Sequence, residues 1–315
     1  MGLSIVTPHY NVFDGLKNLY ECLQRQTKKD WQWIIVDDFS ESAIIDEVRQ
    51  WIISLGDNRV RFITNTVKTN ASVCRNTGAA SATFDIIVFV DSDDIITEKF
   101  VENRSVITNN FQVFLNSAVK DEQDKVHEKK VDHKNYLNAF LSARFIWPIT
   151  AILWNTNFFK SLGGFNVHLP RLQDIELAIR ALQSNVDFQI SDNEIDFYYN
   201  VRSIRKRNNF VEPVCSAVVI MITRLLETQK LSREQKGLLS GYYFNCLRYL
   251  ERSGIRSNVT HVKQVLDFFK VNQLVTYSKY IVTWLTLNAF KNSMLSGQLL
   301  LKINRKLFKP QLNEL

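Results

Sequence analysis

Asp85-Ile-Ile-Val-Phe-Val-Asp-Ser-Asp-Asp94 runs five apolar residues, Ile86 to Val90, straight into three carboxylates, Asp91, Asp93 and Asp94. An unbroken Val/Ile/Phe run of this length reads as a strand buried on both faces, as in a parallel sheet flanked by helices. Acids released at its carboxyl end lie where open α/β sheets hold their ligands. Side chains i and i+2 of an extended chain point the same way, so Asp91 and Asp93 can reach one object together. Like charges held so close repel one another and persist where a cation or bound ligand neutralises them; hard oxygen ligands suit Mg²⁺ or Mn²⁺. An exposed acidic turn with an Asp capping the next helix accounts for the same residues. The flanking sequence has to separate the two readings.

Upstream, residues 3–7 read as a first strand, broken by Pro8 and followed by His9-Tyr10-Asn11. A helix capped by Asp14 carries the stripe Leu16, Leu19, Tyr20 and Leu23. Residues 31–36 form a second strand ending in Asp37-Asp38; a helix over 44–55 and an alternating, less buried strand over 59–64 follow. A small-residue helix over 70–83 carries Arg75-Asn76. Strand–helix order with short links means parallel strands joined by right-handed crossovers. Three strand ends (Thr7-Pro8, Asp37-Asp38 and Asp91 to Asp94) then converge at one sheet edge, the geometry of a nucleotide pocket. No GxGxxG follows the first strand and no GxxxxGK[ST] occurs anywhere, so a diphosphate here is left to metal and basic residues.

Downstream, an amphipathic helix beyond Thr97 leads to a strand over 111–115. The mixed-charge segment 119–134 reads as a surface loop or solvated helix, its His127 and His133 solvated rather than metal-bound. Residues 147–154 are strand-like, 155–161 a short helix, and 172–180 a helix with Asp174 in its first turn, where the dipole favours an anion. Strands at 188–190 and 195–199 precede the basic cluster Arg202-Ser-Ile-Arg-Lys-Arg207, which marks a boundary. From Glu212 the pattern is helical almost throughout and fits a bundle or hairpin stack.

With 315 residues, 45% hydrophobic and 23% charged, the chain is an ordinary globular one that divides into two parts. Cys22, Cys74, Cys215 and Cys246 form no CxxC pair or metal cluster, and read as four buried thiols in a reducing cytosol. No basic n-region or cleavage site marks a signal peptide, and the apolar run at 214–223 is far short of a span. Charge is unevenly shared. Residues 1–200 hold 20 Lys and Arg against 26 Asp and Glu, a net of −6, whereas residues 201–315 hold 19 against 6, a net of +13. A basic helical back attracts nucleic acid, anionic lipid or a phosphorylated substrate. No RNP, KH or zinc pattern supports specific nucleic-acid binding.

Six motifs follow one another along the chain: Val6-Thr-Pro-His-Tyr-Asn11, Val36-Asp-Asp-Phe-Ser40, Ala71-Ser-Val-Cys-Arg-Asn-Thr-Gly78, Phe89-Val-Asp-Ser-Asp-Asp94, Gly163-Gly-Phe165 and Gln173-Asp-Ile-Glu-Leu177. Over roughly residues 3–200 their order and spacing resemble the family 2 glycosyltransferases, inverting enzymes of the GT-A fold. The resemblance implies an α/β fold with a Rossmann-like, mostly parallel central sheet flanked by helices and an all-helical C-terminal extension. The nucleotide-sugar-binding catalytic domain would span residues 1–205 and the basic helical domain 206–315. It implies a nucleotide-diphosphate sugar donor, usually a UDP-sugar, with Mn²⁺ or Mg²⁺. On that pattern Thr7, Pro8 and Tyr10 line the base pocket, Asp38 bonds the uracil edge, and Arg75 faces the ribose or diphosphate. Asp91 contributes to the ribose and metal shell, Asp93 ligates the ion directly, and Asp94 caps the following helix.

Asp174 matches the family's catalytic acid and would act as general base; Glu176, two residues on along the helix, cannot share its face. Read without the family, Tyr10 packs on the core, Asp38 closes an Asx-turn or caps a helix, Arg75 makes a surface salt bridge, and Asp174 is a dipole-favoured first-turn acid. Two departures stand out. Gln173 replaces a common Glu, and Tyr199-Asn-Val-Arg-Ser-Ile-Arg205 lacks the His that many members place there; Arg202 or Arg205 either binds the diphosphate instead or belongs to a solvated basic linker. Without a QxxRW motif or membrane spans, the expected reaction is transfer of one sugar, a hexosyl group, to a glycan or lipid-linked glycan of surface polysaccharide or lipopolysaccharide synthesis. The enzyme would be cytoplasmic, its basic tail (Trp284, Phe290, Leu299, Leu300, Phe308) either resting peripherally on anionic lipid at the inner face of the membrane or forming a soluble bundle whose charge merely keeps it dispersed. The alternative is a non-catalytic sugar-nucleotide-binding protein.

Overall fold

The computed structural model describes residues 2–120, 126–129, 135–184, 187–191, 194–200, 210–228 and 231–308. Two compact units result: Met1–Asp132, Trp147–Val167 and Ser184–Arg205 make the first, and His133–Ile146, His168–Gln183 and Lys206–Leu315 the second. In chain order the elements are β1 (Leu3–His9), α1 (Phe13–Gln24), β2 (Trp31–Asp37), α2 (Ser42–Leu55), β3 (Val60–Thr64), α3 (Ala71–Ala80) and β4 (Ile86–Phe89). Next come β5 (Ile95–Ile96), α4 (Phe100–Asn103), β6 (Phe111–Phe114), β7 (Ser117–Lys120), β8 (Val126–Lys129), α5 (Tyr136–Leu141), β9 (Ile152–Asn155) and α6 (Thr156–Ser161). They are followed by α7 (Gln173–Gln183), β10 (Phe188–Ser191), β11 (Phe197–Asn200), α8 (Val211–Thr228), α9 (Arg233–Leu238) and α10 (Ser240–Ser253). Last are α11 (Val259–Val271), α12 (Tyr277–Lys291) and α13 (Gly297–Phe308).

The first unit is built on a sheet of order β10-β6-β9-β4-β1-β2-β3. Only β9 runs antiparallel to its neighbours, so the sheet is mostly parallel. β4 is buried along its whole length, as its unbroken Ile-Ile-Val-Phe run requires in a sheet covered on both faces. Edge strand β3 is only partly covered. A second, smaller sheet has the order β5-β11-β7-β8.

Pro8 does not break β1, which continues through His9 and stays paired with β2 to its end. The reason is directional. Val6 accepts from the Val90 amide on the β4 side, and Pro8, two residues on, faces that same side after β4 has left the ladder, so its missing N–H leaves no gap. The strand-like stretch 147–154 shrinks to β9, because a 3₁₀ turn at Ile149–Ala151 directs Thr150 into the interior. The helix beyond Thr97 is a single turn, α4, ended at the fully buried Arg104. Where the sequence suggested a loop or solvated helix at 119–134, β8 pairs antiparallel with β7; residues 121–125 and 130–134, His133 among them, lie outside the described residues. The basic cluster at 202–207 lies outside them too.

The second unit is all helical, as the back of the sequence indicates. Its core is the buried row Val214, Val218, Met221 and Leu225 of α8 against Tyr242, Tyr243, Leu247 and Leu250 of α10, with Val262, Leu266 and Phe269 of α11. The Tyr242 hydroxyl donates to the Phe140 carbonyl at 2.6 Å, tying α10 to α5. Helices α12 and α13 join through Thr283, whose hydroxyl donates to Asn304 Oδ1 at 3.0 Å. Phe290, Leu300 and Phe308 are buried here, so they belong to the bundle core and not to an outward lipid-facing stripe; Trp284 and Leu299 alone of the expected five are exposed. Cys74, Cys215 and Cys246 are buried thiols as expected, but Cys22 is half-buried, because it sits on the flank of α1 beside the buried Leu19 and Leu23. Among the described residues no helix is long and apolar enough to cross a membrane.

Candidate functional site

The carboxyl end of β2, beside that of β1, holds two aspartates in different states of engagement. Asp37 is buried and accepts from Ser40 N at 2.9 Å while its Oδ2 pairs with His9 Nδ1 at 2.7 Å. Asp38 is bound by Lys68 Nζ at 2.6 Å, the Thr69 amide at 2.8 Å, Asn65 Nδ2 at 3.3 Å and the Thr69 hydroxyl. Burial alone would raise the carboxyl of Asp38, but the hydrogen bonds from Lys68 and Thr69 outweigh it and hold the group below its ordinary value. Lys68 also stands over the Tyr10 ring, 3.1 Å from its centroid. Tyr10 is half exposed, so it is not a core-packing aromatic. Thr7 is fully buried and accepts from Trp33 Nε1 at 2.9 Å, so its side chain braces the sheet edge. Pro8 is partly covered beside it.

At the end of β4, Arg75 Nη2 meets Asp91 Oδ1 at 2.6 Å. Arg75 is buried, so the pair is no loose surface bridge; its guanidinium also lies 5.5 Å from the Phe165 ring centroid. Asp93 is exposed. Asp94 caps no helix: β5 follows it, and its side chain is buried with Oδ2 accepting from the Thr150 hydroxyl at 2.5 Å. Burial first, and the negative charges of Asp91 and Asp93 next, push the Asp94 carboxyl well above its ordinary range. Beneath lies Arg104, wholly buried, which donates to the Thr150 carbonyl at 2.6 Å and forks onto Asp196 at 2.8 and 2.9 Å. Gly15 of α1 lets the Asp-Ser-Asp loop approach, because a β-carbon there would stand 2.6 Å from the Ser92 carbonyl oxygen.

These residues fit a hard divalent cation. Asp91 and Asp93 present carboxylate oxygens close together after β4, the hard donor type that such a cation takes. Among the described residues no three His, Cys, Asp or Glu side chains are grouped to hold an ion by themselves.

Two of the quoted motifs serve as a clamp. Asn76 Oδ1 accepts from the Phe165 amide at 2.8 Å and its Nδ2 donates to the Phe165 carbonyl at 2.9 Å. Gly164 must be glycine, having φ +65° and a place where a β-carbon would sit 2.5 Å from Asn76 Oδ1. Lys68, Thr69, Thr150 and Arg104 were missed from the sequence. Lys68 and Thr69 could have been found from their place just before the helix that carries Arg75; nothing local signals Thr150 or Arg104.

Asp174 belongs to the second unit, in the first turn of α7 and partly covered. Its charge is felt by Tyr242, whose phenol is pushed up by burial first and by Asp174 second. Glu176 is buried and forked by Arg180 at 2.8 and 2.7 Å, with Arg224 3.5 Å away, so it is committed to the bundle and cannot stand in for Asp174. Arg202 and Arg205 lie outside the described residues.

Residues 4–159 match the protein family described as Glycosyl transferase family 2. The chain carries a family 2 glycosyltransferase domain. This domain is 27% identical over 126 residues to the E. coli UDP-Glc:alpha-D-GlcNAc-diphosphoundecaprenol beta-1,3-glucosyltransferase WfgD, a match covering 37% of this chain and 48% of that protein. The chain is 25% identical over 187 residues to the putative colanic acid biosynthesis glycosyl transferase WcaA of E. coli K12, a match covering 56% of this chain and 65% of that protein. The chain thus spans about half of the first of these relatives and under two-thirds of the second. In fold it is similar to S. aureus TarS 1-349 in complex with UDP-GlcNAc, with TM-score 0.63, 14% identity and coverage of 97% and 92%. It is similar also to the mannosyltransferase PcManGT of Pyrobaculum calidifontis in complex with GDP-Man and Mn²⁺, with TM-score 0.57, 16% identity and coverage of 98% and 88%. The fold of this chain is therefore GT-A-like, with the mostly parallel sheet that the strand order displays.

Proposed function

We propose that the protein is a metal-dependent, inverting glycosyltransferase that moves one sugar from a nucleotide-diphosphate sugar, a UDP-sugar, to a hydroxyl of a glycan or lipid-linked glycan. The observation carrying this reading is the gathering of Tyr10, Asp38, Arg75, Asp91 and Asp93 at the carboxyl ends of β1, β2 and β4, with the helix of Arg75 alongside, in a family 2 domain. Support for the donor class comes from relatives and neighbours: WfgD is named for UDP-Glc, TarS holds UDP-GlcNAc, and PcManGT holds GDP-Man with Mn²⁺. WfgD's diphosphoundecaprenol acceptor supports a lipid-linked glycan in polysaccharide synthesis.

Tyr10 offers its ring to the base, and Asp38, with Lys68 and Thr69 fixing its carboxylate, bonds the base edge. Arg75 orients Asp91 toward the ribose, and Asp91 with Asp93 would hold the cation. When bound, Mn²⁺ or Mg²⁺ supplies a Lewis acid that absorbs the charge of the departing nucleoside diphosphate. Asp174 takes the proton of the acceptor hydroxyl as its oxygen bonds to the anomeric carbon; the bond from that carbon to the diphosphate oxygen breaks, and configuration inverts in one displacement. In this reading residues 1–205 act as the nucleotide-sugar-binding catalytic domain and residues 206–315 as a basic helical domain, working in the cytoplasm at the inner face of a membrane.

A transfer assay with UDP-sugars, Mn²⁺ and a polyprenyl-diphosphate sugar acceptor, read by NMR of the new linkage, tests this. An inverted anomeric centre is expected. Retention of configuration, or binding of sugar nucleotides with neither transfer nor hydrolysis, overturns the reading.

A further inference from the structure

Between Asp267 and Glu314 the sequence holds no acidic residue, while it holds seven Lys and Arg. The structure turns most of this acid-free stretch into α12 and α13. On α12, Tyr277, Ile281, Trp284, Leu285 and Asn288 recur at i, i+4, i+7, i+8 and i+11, which places them on one face. The opposite face, Thr283, Leu287 and Phe290, is buried in the bundle. The outer face therefore ought to be charged in a water-facing helix, and it is not. Tyr277 is 68% exposed, Trp284 38% and Leu285 54%, and Met294, just beyond the helix, is 80% exposed. Packed beside it, α13 turns Lys302, Arg305 and Lys306 to solvent.

We infer that the outer face of α12, with the basic face of α13, is the surface by which the second unit seats on an anionic lipid bilayer. An uncharged aromatic–aliphatic stripe next to lysines and arginines suits the boundary between headgroups and acyl chains. Charge complementarity selects this occupant over a second copy of the chain, because residues 201–315 carry a net +13 and two such surfaces would repel. The inference rests on the lipid-linked acceptor reading above, since such an acceptor is met at a bilayer, but its test needs no transfer.

The full chain is sedimented with vesicles of phosphatidylcholine containing phosphatidylglycerol and with vesicles of phosphatidylcholine alone. Recovery with the anionic vesicles is expected, and its loss at high salt. The pair Trp284→Ser and Leu285→Ser should cut the bound fraction, and Lys302→Glu with Arg305→Glu should weaken binding by at least about fivefold per site, the worth of one basic side chain at such a surface. Asp93→Ala should sediment as the wild type does, so that a failed donor chemistry leaves the lipid result readable. Equal recovery in the supernatant with and without vesicles, or variants that bind as wild type, overturns the inference. So does a dimer in sedimentation velocity that the Trp284→Ser, Leu285→Ser pair abolishes, which would give the face to a second copy.

Discussion

Thr150 holds Asp94. Its hydroxyl donates to Asp94 Oδ2 at 2.5 Å while its carbonyl accepts from the buried Arg104 at 2.6 Å, so the acid loop after β4 is anchored from beneath at Asp94 and from the side at Asp91 by Arg75. Asp93 lies between the two anchors. Replacing Thr150 by Val removes the donor to a buried carboxyl and should lower stability by about 1–3 kcal/mol in urea melts. It should also weaken Mn²⁺ binding measured by calorimetry, with Thr150→Ser restoring both. Unchanged Mn²⁺ affinity in Thr150→Val would show that the anchor does not reach Asp93.

UDP is expected to raise the melting temperature only when Mn²⁺ is present, and Asp93→Ala to abolish that rise while the variant alone melts cooperatively. A metal-independent rise that survives Asp93→Ala would remove Asp93 from the ion.

Asp174→Ala should retain UDP-dependent stabilisation yet lose transfer by a factor of about 10²–10⁴, the usual worth of a general base. Loss of donor binding together with activity would contradict the assignment. Glu176→Gln is expected to act differently, destabilising the helical unit by removing the buried negative charge that Arg180 and Arg224 face.

Gly164→Ala meets both a left-handed backbone and the Asn76 oxygen, and should cost about 1–3 kcal/mol in chemical denaturation. Asn76→Ala, which empties the clamp, should cost about 1–2 kcal/mol. If Gly164→Ala were neutral, the turn at Gly163-Gly-Phe165 would not be held as described.

Asp57 supplies a pH test away from the site. Hydrogen bonds from Arg59, first among several partners, hold its carboxyl down from 3.8 to about 2. A group depressed in the folded state stabilises it above the unfolded value and loses that contribution as pH falls through the folded one. Urea midpoints should therefore drop between pH 4 and pH 2, and Asp57→Asn should flatten that part of the profile. An unaltered slope in the variant would assign the acid sensitivity elsewhere.

Much of this architecture was legible in one dimension. Unbroken apolar runs marked β2 and β4, helical spacing marked α1 and α2, and carboxylates at strand ends marked the site, because periodicity and strand termini are local properties of the chain. The family motifs likewise lie in contiguous segments, so their order could be read directly. What local pattern could not reach were pairings between distant segments: β8 as a strand beside β7, Lys68 on Asp38 and Tyr10, and Thr150 beneath Asp94 across 56 residues.

Sequence by itself determined a mostly parallel α/β front, a basic helical back and the acids at the ends of β2 and β4. Only the tertiary structure decided which of those acids turn inward, that Phe290, Leu300 and Phe308 are core while Trp284 faces out, and that Glu176 is spent on Arg180. Residue type and spacing specify which groups share an element's face, whereas burial and ion pairing depend on what another segment brings against that face.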